Sequence, residues 1–472
     1  MRVSRGLVAA AAALLPLSYA AAEATESSDP AEAEQADLKQ EMEDLSQRLK
    51  ILERKLEVQQ EAAQAAAAEA PVVKASPKGF SLQSRDGANV IKFRGLVQVD
   101  DRYFLDDTTP ASASTAGLRR VRPIVEGTVN NIYDFRITPD FAGGKVVIYD
   151  AFVAARFEPT FVLTAGKFKP PVGLERLQSA ADIRFVERGL PTDLVPNRDI
   201  GLQISGDVLS GRLNYAIGYF NGVADGTGSD LTGDVDTDGD GDAAARLFFQ
   251  PGATSDNFAL RGLGIGIAAT YGHTDGTATN TQLAPLKTPG QVNFFSYRTG
   301  ATPTFADGPR ARIVPQFYYY YGRYGVLGEY VQSSQEVTRV NGTVTRSDKL
   351  KRDAWQIAFH WFVTGEEEAY RGYTPGSTFE PANGTWGAVE LVARYHQLTI
   401  DPDAFVGGAD SFADPATQAQ RATAWGIGVN WYFNQNIKWV LDYDRTRFDG
   451  GAAAGADRGD EEVLMSRLQL NF

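Results

Sequence analysis

The last eleven residues of this 472-residue chain alternate between two kinds of side chain. The apolar parity holds Leu464, Leu468, Leu470 and Phe472, and the polar parity holds Arg467, Gln469 and Asn471. Because side chains alternate faces in a strand, residues 462–472 are predicted to form a strand with one apolar and one polar face. The apolar face must lie against a core or against lipid, and this choice decides the fold.

The composition indicates that the apolar face lies against lipid and not against a protein core. Beyond residue 22 the chain has no apolar run as long as a transmembrane helix requires, and its mean hydropathy is -0.26. A closed β-barrel can span a membrane although its mean hydropathy is this low, because only every second strand residue faces lipid. The alternative, a soluble all-β protein, would need polar outer faces where this chain places Trp and Tyr.

Charge and cysteine content exclude some functions. The formal net charge of -13 argues against a nucleic-acid partner. The chain has no Cys, which excludes disulfides, thiolate catalysis and Cys-ligated zinc.

The N-terminus has the features of a signal peptide over residues 1–22. Arg2 and Arg5 precede an apolar stretch, and Ala20-Ala21-Ala22 offers a cleavage site. We therefore expect the chain to be exported through the periplasm, and a closed barrel would then insert into an outer membrane. The alternative is a buried N-terminal helix.

Residues 32–69 are predicted to form a helix with a coiled-coil seam. The seam follows a 4-3 spacing through Leu38, Met42, Leu45, Leu49, Leu52 and Leu56. We expect it to associate with other chains, although a solvated helical arm is the alternative. Pro71 and Pro77 predict a linker, so the domains are a signal peptide (1–22), a periplasmic helix with linker (23–79) and a barrel (80–472).

From Phe80 onward the pattern predicts an all-β, antiparallel transmembrane barrel of about sixteen strands. They lie near 89–104, 118–130, 132–141, 146–157, 161–169, 199–206, 211–220, 243–250, 261–271, 310–320, 323–332, 353–363, 386–398, 422–433, 437–447 and 462–472. Alternate connections should be short, and the connections near 142–145 and 364–385 break this rule. A long loop is expected over 333–352, and the run Tyr318–Tyr321 is expected in an aromatic girdle.

Strand parity directs several arginines into the lumen. They are Arg94, Arg120, Arg122, Arg136 and Arg156. A lumen lined by fixed cationic side chains favours anions. In the alternative interpretation, these arginines pair with the inward carboxylates of Asp100, Glu126, Asp134, Asp150, Glu390 and Asp442.

The stretch 161–206 carries the most distinctive motifs. It contains Gly166-Lys-Phe-Lys-Pro-Pro-Val-Gly-Leu-Glu175, the pair Glu187-Arg188 and the returning Gly201-Leu-Gln203. Gly117-Leu-Arg-Arg-Val-Arg122 precedes them and Tyr219-Phe-Asn-Gly222 follows. In this order the motifs resemble the phosphate-selective porin family of Gram-negative bacteria.

The resemblance implies an outer-membrane homotrimer that lets phosphate or polyphosphate diffuse passively, with lipid and lipopolysaccharide as further partners. It implies that the third long loop, 170–198, folds inward and narrows the pore. The basic residues it places on the anion path, beyond those given by parity, are Arg119, Lys167, Lys169, Arg176, Arg184, Arg188 and Arg198. Two departures bear on selectivity: the loop has no lysine after Lys169, and it carries Glu175, Asp182, Glu187 and Asp193.

An acidic stretch resembles the first half of an EF-hand loop, with Gly239 at the sixth position. Its carboxylates are Asp234, Asp236, Asp238, Asp240 and Asp242. The twelfth position is Ala245, so a weak calcium site and a solvated acidic loop both stay open. We expect no other cofactor.

Three functions remain open. The first is an anion channel, the second is a general or sugar porin, and the third is a structural barrel that tethers the envelope. Catalysis is not expected, because we find no motif for it.

Overall fold

The computed structural model describes residues 30–107, 113–236, 239–255, 257–373 and 375–472. The predicted signal peptide lies outside these residues. Helix α1 (Pro30–Glu69) confirms the helix expected over 32–69. Its six seam residues are each 55–70% exposed in the single chain, and their partner remains a prediction. Within the described residues, no helix combines the length and apolar character needed to cross a membrane.

The strands and helices that follow α1 account for most of the described residues. The strands are β1 (Val72–Ser76), β2 (Gly79–Gln83), β3 (Val90–Phe104), β4 (Thr115–Val129), β5 (Tyr133–Asp140), β6 (Val147–Glu158), β7 (Phe161–Phe168), β8 (Asp199–Val208), β9 (Leu213–Phe220), β10 (Asp242–Phe249), β11 (Leu263–Asp275), β12 (Leu286–Lys287), β13 (Asn293–Phe295), β14 (Thr304–Tyr321), β15 (Tyr324–Asn341), β16 (Val344–Phe362), β17 (Phe379–Glu380), β18 (Thr385–Trp386), β19 (Ala388–Ile400), β20 (Ala419–Tyr432), β21 (Ile437–Gly450) and β22 (Glu461–Asn471). Short helices are α2 (Leu174–Leu177) and α3 (Phe258–Arg261). Turns of 3₁₀-helix lie at Ala142–Gly144, Leu190–Leu194, Ser229–Thr232, Pro381–Asn383, Pro402–Ala404, Gly408–Asp410 and Ala453–Gly455.

Sixteen of these strands form a closed antiparallel barrel, as the sequence predicted: β3–β11, β14–β16 and β19–β22. The last strand closes on the first, with Leu468 opposite Val99. At this seam the Arg467 guanidinium donates to both carboxylate oxygens of Asp100, each at 2.7 Å. The apolar parity of β22 thus faces outward and the polar parity faces the lumen.

The prediction of a long loop over 333–352 is wrong. β15 and β16 continue through it as a hairpin in which Asn341 pairs with Val344. Gly342, with φ of +62°, occupies the first turn position, where a type II′ hairpin requires positive φ. The linker expected before the barrel also differs, because β1 and β2 form a hairpin that pairs with β3.

The run Tyr318–Tyr321 divides between the two faces of β14. Tyr319 and Tyr321 stack outward with ring centroids 6.2 Å apart, as a girdle requires. Tyr318 and Tyr320 are buried on the lumen side. The girdle prediction is therefore wrong for half of this run, because successive residues of a strand face opposite ways.

An apolar core, which the sequence did not predict, fills part of the lumen. Phe294 and Phe295 of the connection 276–303 and Phe412 of the connection 401–418 are almost fully buried. They join Val331 and Leu398 from the strands in one cluster. The connections 276–303 and 401–418 therefore occupy part of the lumen.

The buried Arg467–Asp100 pair should stabilise barrel closure. Arg467→Ala leaves the buried Asp100 carboxylate with only the longer ion pair to Arg102, at 3.7 Å, and we expect a loss of about 3 kcal/mol in the free energy of unfolding, the lower end of the range for a broken buried pair. Urea titration followed by gel mobility measures this. The double variant Asp100→Leu with Arg467→Leu should lose less, and an equal loss in both variants would contradict the assignment.

Candidate functional site

The connection between β7 and β8, residues 169–198, crosses the lumen as predicted, and we call it the constriction loop. The Leu174 amide donates to the Glu329 carboxylate on β15 at 2.6 Å. The Leu190 amide donates to His396 Nδ1 on β19 at 3.0 Å. Gln98 on β3 donates to the Ala180 carbonyl at 3.0 Å. The loop is therefore anchored to strands on several sides of the barrel.

Two cavities lie on either side of the constriction loop. The upper chamber, toward the long connections, has a volume of about 490 Å³ and is lined by Arg119, Arg120, Arg122, Arg176, Arg188 and Arg198. The lower chamber, toward the short turns, has a volume of about 1270 Å³ and is lined by Arg94, Arg136, Lys169 and Arg246. Nine of the twelve residues predicted on the anion path therefore line one of these two chambers.

The other three predicted residues lie elsewhere. Lys167 has the outward parity of β7, and its ammonium is 2.5 Å from Asp234 Oδ1. Arg156 pairs with Asp134 on the neighbouring strand. Arg184 is buried between Glu390, at 2.8 Å, and Glu368, at 3.1 Å.

Many inward arginines are ion-paired, as the alternative interpretation predicted. Glu126 accepts from Arg94 at 3.2 Å and from Arg136 at 2.5 Å. Further pairs are Arg122–Asp140 at 2.7 Å, Arg119–Glu187 at 2.5 Å and Arg198–Asp150 at 3.2 Å. Within the described residues these arginines therefore add little net charge to the chambers.

Four cations differ, and we call them the unpaired cluster: Arg120, Lys169, Arg176 and Arg188. Among the described residues, none has a carboxylate oxygen within 4 Å; each donates to neutral oxygens instead. Lys169 Nζ and the Arg188 guanidinium share the Gln178 carbonyl, at 2.6 and 2.9 Å. Burial, with Arg198 and Arg188 nearby, lowers the pKa of Lys169. Like charges are thus held together at the junction of the two chambers.

Two acidic residues of the constriction loop, Glu187 and Glu175, do not pair with this cluster. Glu187 binds Arg119 and lies 3.0 Å from Arg102. Burial alone would raise the pKa of Glu187, but Arg119 holds it below its usual value. Glu175 accepts from the Gly189 amide at 2.8 Å. These carboxylates therefore serve cations and amides outside the unpaired cluster.

Two strand irregularities bring side chains into the lumen that simple alternation does not place there. A register shift in the β3–β4 pairing leaves Arg119 without a partner residue, beside inward Arg120. A second register shift, in the β5–β6 pairing, leaves Tyr149 without a partner residue, beside Asp150. Tyr149 then lies between the guanidiniums of Arg122 and Arg198, 3.7 and 4.3 Å from its ring centroid. Sequence reasoning missed Tyr149, because a bulge reverses parity without a reliable sequence signal.

The predicted calcium ligands are spread over several places. Asp234 binds Lys167, and Asp242 binds Arg310 and Arg312 at 3.0 and 2.8 Å. Asp238 lies outside the described residues. Asp240 instead approaches His273 and Asp275, with potential ligand atoms within 4.8 Å of one another. Among the described aspartates, Asp234 and Asp242 therefore lie in separate ion pairs, and the calcium site stays a prediction.

Comparison with known proteins places this geometry among porins. The family model for phosphate-selective porin O and P matches residues 91–472. Porin O of Pseudomonas aeruginosa is 23% identical over 429 residues, which cover 85% of this chain and 93% of that protein.

Solved structures show a similar fold. The outer membrane channel DcaP of Acinetobacter baumannii has a TM-score of 0.51 at 11% identity, covering 84% of this chain and 99% of that one. The anion-selective porin from Comamonas acidovorans has a TM-score of 0.46 at 11% identity, covering 81% and 100%. At 11% identity the likeness to DcaP shows the fold alone.

Asp193, which lines the upper chamber, should make ion selectivity depend on pH. Burial raises its pKa to about 6, so the carboxylate is mostly ionised at about pH 7.5 and mostly neutral at about pH 5. Protonation removes a negative charge beside Arg176, so anion preference should rise as the pH falls. Reversal potentials in planar bilayers measure this. Asp193→Asn should show a weaker dependence, and an identical pH profile would contradict the assignment.

Proposed function

Since the chain belongs to the phosphate-selective porin O and P family, and is therefore an outer-membrane porin, we propose that it is a passive channel for small inorganic anions, including phosphate. The unpaired cluster is the observation that carries this proposal. Lys169 and Arg188 share a carbonyl between the two chambers, and Arg120 and Arg176 line the upper chamber. The inward arginines around them are largely neutralised by carboxylates.

An anion would relieve the repulsion within the unpaired cluster. A charge held in a confined site without a counter-charge costs free energy, and this cost falls when an opposite charge enters. Guanidinium forks and an ammonium form charge-assisted hydrogen bonds with phosphate oxygens. Several cations share the anion, so no single cation binds it tightly. Conduction requires such weak, shared binding, because the anion must also leave the site.

The chambers suggest a route for the anion. Arg119, Arg122 and Arg198 in the upper chamber would attract it. The unpaired cluster would then pass it to Arg94, Arg136 and Arg246 in the lower chamber. A row of basic side chains of this kind would also accept polyphosphate.

A sugar-porin function has one observation in its favour. Phe248, Tyr318, Tyr320 and Tyr370 line the lower chamber, and aromatic faces suit sugar rings. The junction itself is cationic, however, so this candidate ranks second. Uptake of neutral sugars into proteoliposomes at rates matching those of phosphate would favour it.

Neutralising the unpaired cluster should reduce anion binding. Lys169→Gln and Arg188→Gln each remove one charge from the junction, and we expect on the order of tenfold weaker block of chloride current by phosphate. Planar-bilayer titration measures the block. Arg156→Gln removes an ion-paired arginine distant from the cluster and serves as the matched control, with block close to wild type.

Arg188→Glu should go further and reverse the chloride-over-potassium preference, because a charge reversal in a narrow junction is poorly screened. Arg184 does not suit this test, since its loss leaves Glu368 and Glu390 buried without their cation. If Arg188→Glu kept wild-type selectivity, anions would have to pass elsewhere.

We also propose that the protein is a homotrimer assisted by the exposed leucine seam of α1. Deleting residues 32–70 should weaken trimers on native gels, because the seam then no longer buries apolar surface between chains. Single-channel conductance should stay at the wild-type value. A large change in conductance would show that the helix affects the pore itself.

A further inference from the structure

The connection between β16 and β19 is long at an end of the barrel where most turns are short. Its first part, residues 364–373, turns into the lumen, and we call it the strap. The Glu368 amide donates to the Gly322 carbonyl at 2.7 Å. The Tyr373 ring packs on Phe362, with centroids 4.3 Å apart, and on Tyr432, at 5.4 Å. The strap therefore extends across the lower opening from the β14–β15 turn to β20.

The strap contacts the constriction loop through four hydrogen bonds, one of which is the Arg184 bond to Glu368 at 3.1 Å. Gln178 Nε2 donates to the Tyr370 carbonyl at 2.9 Å. The Tyr370 hydroxyl donates to the Leu174 carbonyl at 2.6 Å. Arg184 donates to the Ala369 carbonyl at 2.9 Å. Tyr370 is itself held by stacking on Tyr318, with centroids 5.0 Å apart and an interplanar angle of 20°.

Gln178 joins the strap to the unpaired cluster. Its side-chain amide is bound by the strap, while its backbone carbonyl accepts from Lys169 at 2.6 Å and from Arg188 at 2.9 Å. Both ends of this buried residue are therefore engaged.

We propose that Tyr370 and Gln178 are positioning residues for the pore cations. The strap fixes Gln178, and the Gln178 carbonyl keeps Lys169 and Arg188 close together. The inference rests on the proposed function of the unpaired cluster. It adds that a segment from the opposite end of the barrel determines the geometry of that cluster.

Electrostatics explains why such an anchor is needed. Lys169 and Arg188 repel each other, and the shared Gln178 carbonyl holds both, with help from the Leu177 carbonyl at 3.3 Å from Lys169 Nζ and the Glu175 carbonyl at 3.1 Å from Arg188 Nε. A backbone carbonyl carries partial negative charge and two lone pairs, which suits two donors. If Gln178 shifts, the two cations lose the acceptor they share, and an anion contacts both of them less closely.

Removing either partner should weaken anion binding without removing a charge. Tyr370→Ala and Gln178→Ala should each weaken phosphate block by ~3- to 10-fold, the range expected for one lost hydrogen bond. Their double variant should lose less than the sum of the two single losses, because the Gln178 bond to the Tyr370 carbonyl and the Tyr370 hydroxyl bond to Leu174 fix the same segment of the constriction loop. Single-channel titration with inorganic phosphate measures all three.

Tyr373→Ala is the matched control. It removes a tyrosine from the same strap, but one whose ring packs on Phe362 and Tyr432. We expect wild-type block from it. Tyr370→Phe is the milder variant, losing only the hydroxyl bond to Leu174, and should fold where Tyr370→Ala does not. Gel mobility on heating shows whether each barrel is folded.

A second measurement does not depend on anion binding. The chain has no Cys, so Ala180→Cys, at a position 8% exposed, introduces a single thiol into the constriction loop. Its reaction with a charged thiol reagent should be several-fold faster beside Tyr370→Ala, because the loop loosens, and unchanged beside Tyr373→Ala.

The outcomes separate the two proposals. If wild-type protein shows no phosphate block while the labelling rate responds to Tyr370→Ala, the proposed function fails and the strap still positions the loop. If neither block nor labelling responds to Tyr370→Ala, or if Tyr373→Ala has equal effects, the positioning proposal is overturned.

Discussion

Backbone pairing in lipid is the constraint on which the rest of this structure depends. In a bilayer every backbone N–H and C=O must find a partner within the protein, and a ring of strands meets this requirement only when it closes. Closure between β22 and β3 provides the last set of pairs. It also sends every second side chain of each strand into the lumen, so the polar parity of the sequence becomes the lining of a pore.

Most of the charged side chains that line the lumen are paired with an opposite charge. We ascribe the function to the few cations that are not. Several inward arginines form ion pairs with carboxylates on neighbouring strands or on the constriction loop. They are Arg94, Arg119, Arg122, Arg136 and Arg198. Within the described residues, the unpaired cluster is held instead by neutral oxygens at the junction of the chambers. The ion pairs stabilise the barrel and the loop, and the cluster remains available for a mobile anion.

Local rules predicted the barrel well. Alternation between apolar and polar residues identified all sixteen barrel strands, because lipid and lumen impose opposite preferences on successive side chains. The errors arose where the chain turns. The Gly342-Thr343 turn was taken as part of a loop, although Gly at the first of two turn positions is a signal for a type II′ hairpin.

The site was harder to predict, because it depends on contacts distant in sequence. Strand parity and the family resemblance brought Arg120 and Arg122 to the lumen correctly. Neither predicts the ion pair between Glu187 and Arg119 or the ion pair that holds Lys167 on Asp234, away from the anion path. These partners are distant in sequence and come into contact only when the loops fold. Tyr149 was missed because a register shift in the β5–β6 pairing reverses its parity.

The central claim is that the unpaired cluster is an anion site. Anomalous diffraction from crystals soaked in arsenate, whose oxygens mimic those of phosphate, tests it most directly. We predict an arsenic peak within about 4 Å of both Lys169 Nζ and the Arg188 guanidinium, the range of direct charge-assisted contact. Peaks confined to other parts of the lumen, with none at this junction, would contradict it.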